Sequence, residues 1–170
     1  MNFTIHNKSF LLLFILFLLL PVSAVMAAEK MPAFSLPSAV DNKKVSSKSF
    51  TNKVLLVTFF ATWCPPCREE IPTLKKLQKQ LGDKGFSVLA FSVDEGGKEI
   101  VKTLMSQEHI NYPVLMANKA LMKGFGGISG IPTSFLVSRK GEILRTYAGY
   151  IPYKLLKKHI DNEMKKKAKK

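Results

Sequence analysis

Apolar and polar positions change period several times along this chain, and each change marks an element. Phe10 to Leu20 is unbrokenly apolar; a weakly basic start with His6 and Lys8 precedes it, and Pro21 followed by small residues through Ala28 ends it. That order is the anatomy of an export signal. As a helix the run reaches only about 16 Å, short of the roughly 30 Å hydrocarbon core, while extension to Ala28 gives a segment just long enough to span. Residues 1–28 therefore read either as a signal cleaved near Ala24 or Ala27 or as a retained N-terminal membrane anchor. Both readings put the remainder outside the cytoplasm, in the periplasm or on the outer face of the cytoplasmic membrane.

Past Glu29, Met31 to Pro37 is bounded by prolines and followed by the polar turn Asp41-Asn42-Lys43-Lys44, which predicts an edge strand or hairpin. Val54 to Phe60 (VLLVTFF) is a continuous β-branched, leucine and aromatic run, as expected of a central strand buried on both faces. The period turns helical from Pro65 to Leu81: Cys67, Glu70 or Ile71, Leu74, Leu77 and Leu81 share one stripe, Lys75, Lys76 and Lys79 fall outside it, and Gly82 is the stop. Phe86 to Val93 predicts a second buried strand, Lys98 to His109 a helix, Tyr112 to Met116 a short strand and Asn118 to Phe125 a short helix. Thr133 to Ser138 and Glu142 to Ala148 are strands joined by Arg139-Lys140-Gly141, and Pro152 to Lys169 is a lysine-rich closing helix. Strands alternating with helices, then a hairpin and a last helix, predict an α/β domain with a mixed sheet flanked by helices and an N-terminal strand or hairpin extension. The domain is placed at residues 29–160, with 161–170 as a lysine-rich C-terminal tail.

Composition changes this picture in two ways. With 170 residues the chain holds one domain, and with two cysteines, Cys64 and Cys67, it has neither a multi-bridge scaffold nor a four-cysteine metal site. Of the three histidines His6 lies in the leader, and His109 and His159 are read as ordinary helix residues, so no zinc site is expected. The 26 Lys and Arg against 12 Asp and Glu give +14, a balance that suits acidic partners, nucleic acid or an anionic membrane. Export argues against nucleic acid. Residues 157–170 carry seven Lys against Asp161 and Glu163, a cluster that fits either an anionic lipid surface or a solubilising tail.

The candidate chemistry is Trp63-Cys64-Pro65-Pro66-Cys67, after a buried strand and at the mouth of an amphipathic helix. Unpartnered N–H groups and the helix dipole favour a thiolate at Cys64. Cysteines in such motifs have pKa values of roughly 3.5 to 7.5 against about 8.5 for a free thiol. Cys64 is therefore read as the nucleophile and Cys67, one turn deeper, as the resolving thiol. Pro65 and Pro66 suit the first helical positions, where a missing N–H costs nothing. A purely structural disulfide closing so short a loop gains little chain entropy, and haem attachment lacks its histidine, since Arg68 follows Cys67. Gly124 to Gly130 is not a dinucleotide fingerprint, because Ser129 takes the third glycine position.

The stretch VLLVTFFATWCPPCREEIPTL (Val54 to Leu74), with Gly130-Ile131-Pro132-Thr133 downstream, resembles the thioredoxin-like fold and, within it, exported thiol-disulfide reductases of the TlpA and ResA type. The resemblance covers nearly all of residues 31–160. It implies a cis Pro132 lying against the dithiol, with the Ile131 backbone pairing an extended substrate; Trp63 is expected to shield Cys64 and contact partners. Pro72, eight residues after Cys64, removes one helical hydrogen bond, to the Arg68 carbonyl, and is expected to kink the helix. Thioredoxin carries a buried Asp six residues before its first cysteine, but Thr58 stands there in this chain. Glu70 takes that vacant proton-handling role in this reading, as a semi-buried carboxylate with a raised pKa; a first-turn Glu serving the helix dipole is the plainer alternative.

The resemblance implies no cofactor beyond the redox-active Cys64/Cys67 pair. Its partners are oxidised envelope proteins, such as apocytochrome c or proteins of metal-site assembly, and a membrane thiol transporter as electron donor. Oxidase and reductase share this dithiol, and only reduction potential separates them. A Pro-Pro dipeptide, without the His and large helical insertion of DsbA-like oxidants, favours reduction. A non-catalytic basic binding module on the same fold is the rival from another class.

Overall fold

The computed structural model describes residues 29–166. A small antiparallel hairpin comes first, β1 (Ser35–Pro37) against β2 (Lys44–Ser46), with Leu36 opposite Val45. A 3-10 turn at Ser47–Phe50 leads to β3 (Val54–Phe60), α1 (Pro65–Leu81), β4 (Phe86–Ser92), α2 (Lys98–Gln107), β5 (Val114–Met116), α3 (Lys119–Gly124), β6 (Thr133–Val137), β7 (Ile143–Ala148) and α4 (Tyr153–Met164). The main sheet has the order β5-β4-β3-β6-β7, with β3 parallel to β4 and antiparallel to β6. This is the mixed sheet expected, with β3 at its centre and the hairpin forming a separate two-stranded sheet.

All seven residues of β3 and of β4 are buried, because each strand has a layer on both faces. On one face Val54, Leu56 and Phe60 meet Ile71, Leu74 and Leu77 of α1, Val101 and Leu104 of α2, and Leu156 and Ile160 of α4. On the other, Leu55, Val57, Phe59 and Phe91 meet Phe34 and Leu36 of the N-terminal segment, Phe50, and Leu121 and Phe125 beside α3. Period-2 alternation is absent from β3 since both faces are apolar. Phe59 packs against Phe91, Phe125 and Phe135 at centroid distances of 5.2 to 6.1 Å, so the N-terminal extension and α3 close a second aromatic core.

Short β5 leaves part of the outer edge of β4 without a partner strand, and a side chain fills the gap. Gln78 of α1 accepts the Val88 N–H at 2.8 Å, beyond the point where β5 pairs Ala90 to Ser92. The Ala39 N–H reaches the Val114 carbonyl at 3.0 Å, so the segment after β1 covers the outer edge of β5. Both contacts satisfy sheet groups that an edge would leave open.

Several boundaries differ from the sequence reading. The second helix stops at Gln107, and His109 is no helix residue: it sits at φ 49° in the turn beyond, the left-handed region that ends a helix. The strand drawn from Tyr112 begins at Val114, because Pro113 cannot donate to a ladder. Asn118 is the cap of α3, its Oδ1 accepting the Leu121 N–H at 2.8 Å. The final helix ends at Met164, four residues into the segment separated off as a tail and short of Lys169; residues 167–170 and the leader, 1–28, lie outside the described residues.

Candidate active site

β3 delivers the chain to the end of the sheet where α1 begins, and the turn Ala61–Cys64 joins them. Cys64 is the N-cap of α1, with Pro65 and Pro66 at its first two positions. Its sulfur accepts the Cys67 N–H at 3.3 Å, the role a Ser or Asp side chain fills at other helix starts. Cys64 and Cys67 are disulfide-bonded, S–S 2.05 Å, and both are nearly buried, at 4% and 3% exposure. Cys67 is expected from sequence to be the deeper of the two; in the oxidised pair the difference in exposure is slight, and the Ile131 carbonyl lies against Cys64.

That segment completes the site. The Ile131–Pro132 peptide bond is cis, and the Ile131 carbonyl oxygen lies 3.8 Å from Cys64 Sγ. The Thr133 hydroxyl donates to the Gly130 carbonyl at 2.7 Å and fixes the turn just before β6. Trp63 is 69% exposed, an unusual placement for the chain's single tryptophan. Cys64, the cis Ile131–Pro132 bond and Trp63 thus share one end of the sheet.

Glu70 lies one helical turn past Cys67 and points inward. It is 1% exposed, buried rather than half-buried as the sequence suggested, and so is not a first-turn surface acid. Desolvation pushes its carboxyl from 4.5 up to about 7, against the opposing pull of the Ile151 N–H, which donates to Oε1 at 3.3 Å. Tyr112 is buried beside it, its phenol pushed up by desolvation first and then by the charges of Glu70 and Glu108. Thr58, at the position where thioredoxin has its Asp, accepts the Ser134 hydroxyl at 2.9 Å, a neutral pair on the buried sheet. Pro72 sits inside α1, which continues through it.

A residue the sequence reading passed over holds the approach to the dithiol. Asp94, 8% exposed at the end of β4, accepts the Thr62 N–H at 3.1 and 3.0 Å, the Thr62 hydroxyl at 2.6 Å and the Ser92 hydroxyl at 2.8 Å. Every one of these contacts is donated to the carboxylate, the pattern an acceptor-only group demands. Asp94 thereby ties the loop after β4 to the residue two before Cys64. Among the described residues, Glu70 and Asp94 are the only buried acids. The available signal was position: Ser-x-Asp at the carboxyl end of a buried parallel strand, the edge where functional groups of such sheets collect. Also among the described residues, no cluster of three or more His, Cys, Asp or Glu is placed to hold a metal.

A family model described as Redoxin matches residues 26–162. The chain is 30% identical over 139 residues to the thioredoxin-like protein YneN of Bacillus subtilis, covering 81% of this chain and 80% of the relative. It is 29% identical over 110 residues to the thiol-disulfide oxidoreductase ResA of Bacillus thuringiensis, covering 65% of this chain; the match spans 63% of that relative's length. Among solved structures, a thiol:disulfide interchange protein of the thioredoxin family from Chlorobium tepidum superposes with a TM-score of 0.76 at 36% identity, covering 83% of this chain and 99% of the other.

Proposed function

The chain belongs to the Redoxin family as a thioredoxin-like thiol-disulfide oxidoreductase of the TlpA/ResA type, and we propose that it is exported and reduces disulfides in envelope proteins. The observation that carries the exchange chemistry is the Cys64/Cys67 pair at the start of α1, with the Cys67 N–H already directed at Cys64 Sγ, while export is proposed from the leader-like residues 1–28 and direction from the Pro65-Pro66 dipeptide. A reduced Cys64 thiolate would inherit that donor and the dipole of a 17-residue helix.

In the proposed reaction the Cys64 thiolate attacks one sulfur of a substrate disulfide, forming a mixed disulfide and expelling the other substrate sulfur as a thiolate. Cys67, having lost its proton, attacks Cys64 Sγ. The Cys64–Cys67 disulfide closes and the second substrate thiol leaves, so two electrons pass to the substrate. Glu70, buried and with its carboxyl near 7, is suited to take the Cys67 proton at neutral pH. Trp63, Ile131 and Pro132 form the surface to which an extended substrate would be presented. A membrane thiol transporter is the proposed source of electrons. Oxidised apocytochrome c and metal-site assembly proteins are the proposed substrates.

Two measurements test it. In a Cys67→Ser variant the mixed disulfide cannot resolve, so oxidised envelope proteins are expected to accumulate on Cys64; a variant that captures none refutes the exchange role. Equilibration of the wild type with glutathione buffers fixes direction. A potential near that of thioredoxin, about −270 mV, agrees with reduction, and one near about −120 mV overturns it.

A further inference from the structure

At the end of the sheet opposite the dithiol lies a groove of about 230 Å³ whose rim is Lys48, Lys53, Arg139 and Lys140 and whose floor includes Phe50 and Leu55. Among the described residues, no acidic side chain lines it. Arg139 is held in place, its Nη1 donating to the Asn52 carbonyl at 2.9 Å and the Gly85 carbonyl at 3.4 Å. Lys48, Lys53 and Lys140 enter no ion pair among the described residues; the nearest acid along the chain, Glu142, is paired with Lys30 at 3.6 Å. Concentrated cations over an apolar floor match an anion that carries hydrocarbon beside it, a combination a free phosphate lacks.

The covalent path of the chain points to the same ligand. The Glu29 carbonyl accepts the Ile143 N–H at 2.8 Å and the Met31 N–H donates to the Gly141 carbonyl at 2.8 Å, so residue 29 is pinned beside the β6–β7 turn at the groove. The sequence that precedes it is the apolar run Phe10 to Leu20 with its small-residue flank. α4 also descends to this end, where Lys166 is paired with Glu163 at 2.7 Å in a cleft beside Leu136 and Leu144, and three further lysines follow in sequence. Cys64 is at the other end of β3, whose seven residues separate the two by about 20 Å.

We propose that the groove between the 3-10 turn and the β6–β7 turn docks on anionic phospholipid headgroups, holding the basic end of the domain to a membrane and turning the dithiol away from it. The groove is separate from the redox site. Its biological setting rests on the export proposed above, but its test does not.

The test compares partition of the full chain into vesicles of phosphatidylglycerol and phosphatidylcholine, 1:1, with partition into phosphatidylcholine alone, so that residues 1–28 contribute to both arms. The wild type is expected to favour the anionic vesicles, and salt to erode that preference. The three Lys→Gln changes at 48, 53 and 140 are expected to reduce it about a hundredfold at low salt, from about 1 kcal/mol per lysine near such a surface. Lys48→Glu/Lys53→Glu/Lys140→Glu should give a larger loss in the same direction, because each change adds repulsion to the attraction removed. Reaction of each reduced variant with a chromogenic disulfide, matching the wild type, shows that the fold is intact. A wild type with no preference, or triple variants that keep theirs while Lys→Gln changes at 165, 166, 167, 169 and 170 abolish it, overturns the proposal. Tight binding to duplex DNA without vesicle preference does the same.

Discussion

Replacing Glu70 by glutamine removes an ionisation while keeping the shape and an acceptor for the Ile151 N–H. The magnitude follows from the two ends of the titration. The carboxyl titrates near 4.5 in an open chain and near 7 when buried in the fold. Because the folded value is the higher, the native state binds the extra proton between them. Stability from the protonated carboxyl is fully present below 4.5 and is lost as pH rises through 7. At about 1.4 kcal/mol per pH unit this loss reaches about 3 kcal/mol. Glutamine has no such loss. Urea unfolding of the oxidised wild type and Glu70→Gln from pH 4 to 8.5 should therefore give a stability difference that grows by about 3 kcal/mol across the range and is flat outside it. Any fixed cost of packing the amide shifts the difference equally at every pH, and titration elsewhere cancels between the two proteins. Parallel curves would refute the burial argument. The reduced protein offers a second reading: if Glu70 takes the Cys67 proton, the pH profile of dithiol alkylation should lose its inflection near 7 in the variant.

Asp94→Ala should destabilise the protein by about 1–3 kcal/mol, because it orphans the Thr62 N–H and hydroxyl; Asp94→Asn should cost less, since an amide oxygen still accepts, and denaturant midpoints check both. The alanine variant should also alter the rate of Cys64 alkylation in the reduced protein, as the loop bearing Trp63 and Cys64 loses its tie to β4, and an unchanged rate would confine Asp94 to stability. Gln78→Ala strips the acceptor from Val88 N–H on the side of β4 that β5 does not reach; a cost of about 1–3 kcal/mol in urea unfolding is expected, with Gln78→Glu retaining most of the stability.

The elements were legible because their signals are local. Val54 to Phe60 reads as a doubly buried strand from its composition, and α1 from its stripe, its prolines at the start and Gly82 at the end. The pairing of Cys64 with a helix start was equally legible, since three residues of separation and the next turn's N–H are matters of local geometry. Helix and strand ends were less so: His109 and Pro113 show that a backbone torsion or a missing donor moves a boundary by a few residues without changing the hydrophobic pattern.

What the sequence by itself determined is thus the α/β class, the order of elements and the position of the dithiol, all set by periodicity and by contacts within a few residues. Tertiary structure alone decided the rest. It set Asp94 on Thr62 across 32 residues and made the contact of Ile131 with Cys64, across 67, that only the family resemblance implies. It also brought the Ile151 N–H to Glu70 across 81 and gathered Lys48, Lys53, Arg139 and Lys140 around one groove. The physical reason is the same in each case. Desolvation, hydrogen bonding and electrostatic fields depend on which atoms surround a group, and in a sheet those neighbours come from strands far apart in the chain. Glu70 illustrates it: its place on the helical stripe was written in the sequence, while the near-complete removal of water that carries its carboxyl to about 7 came only with the packing of α1 on the sheet.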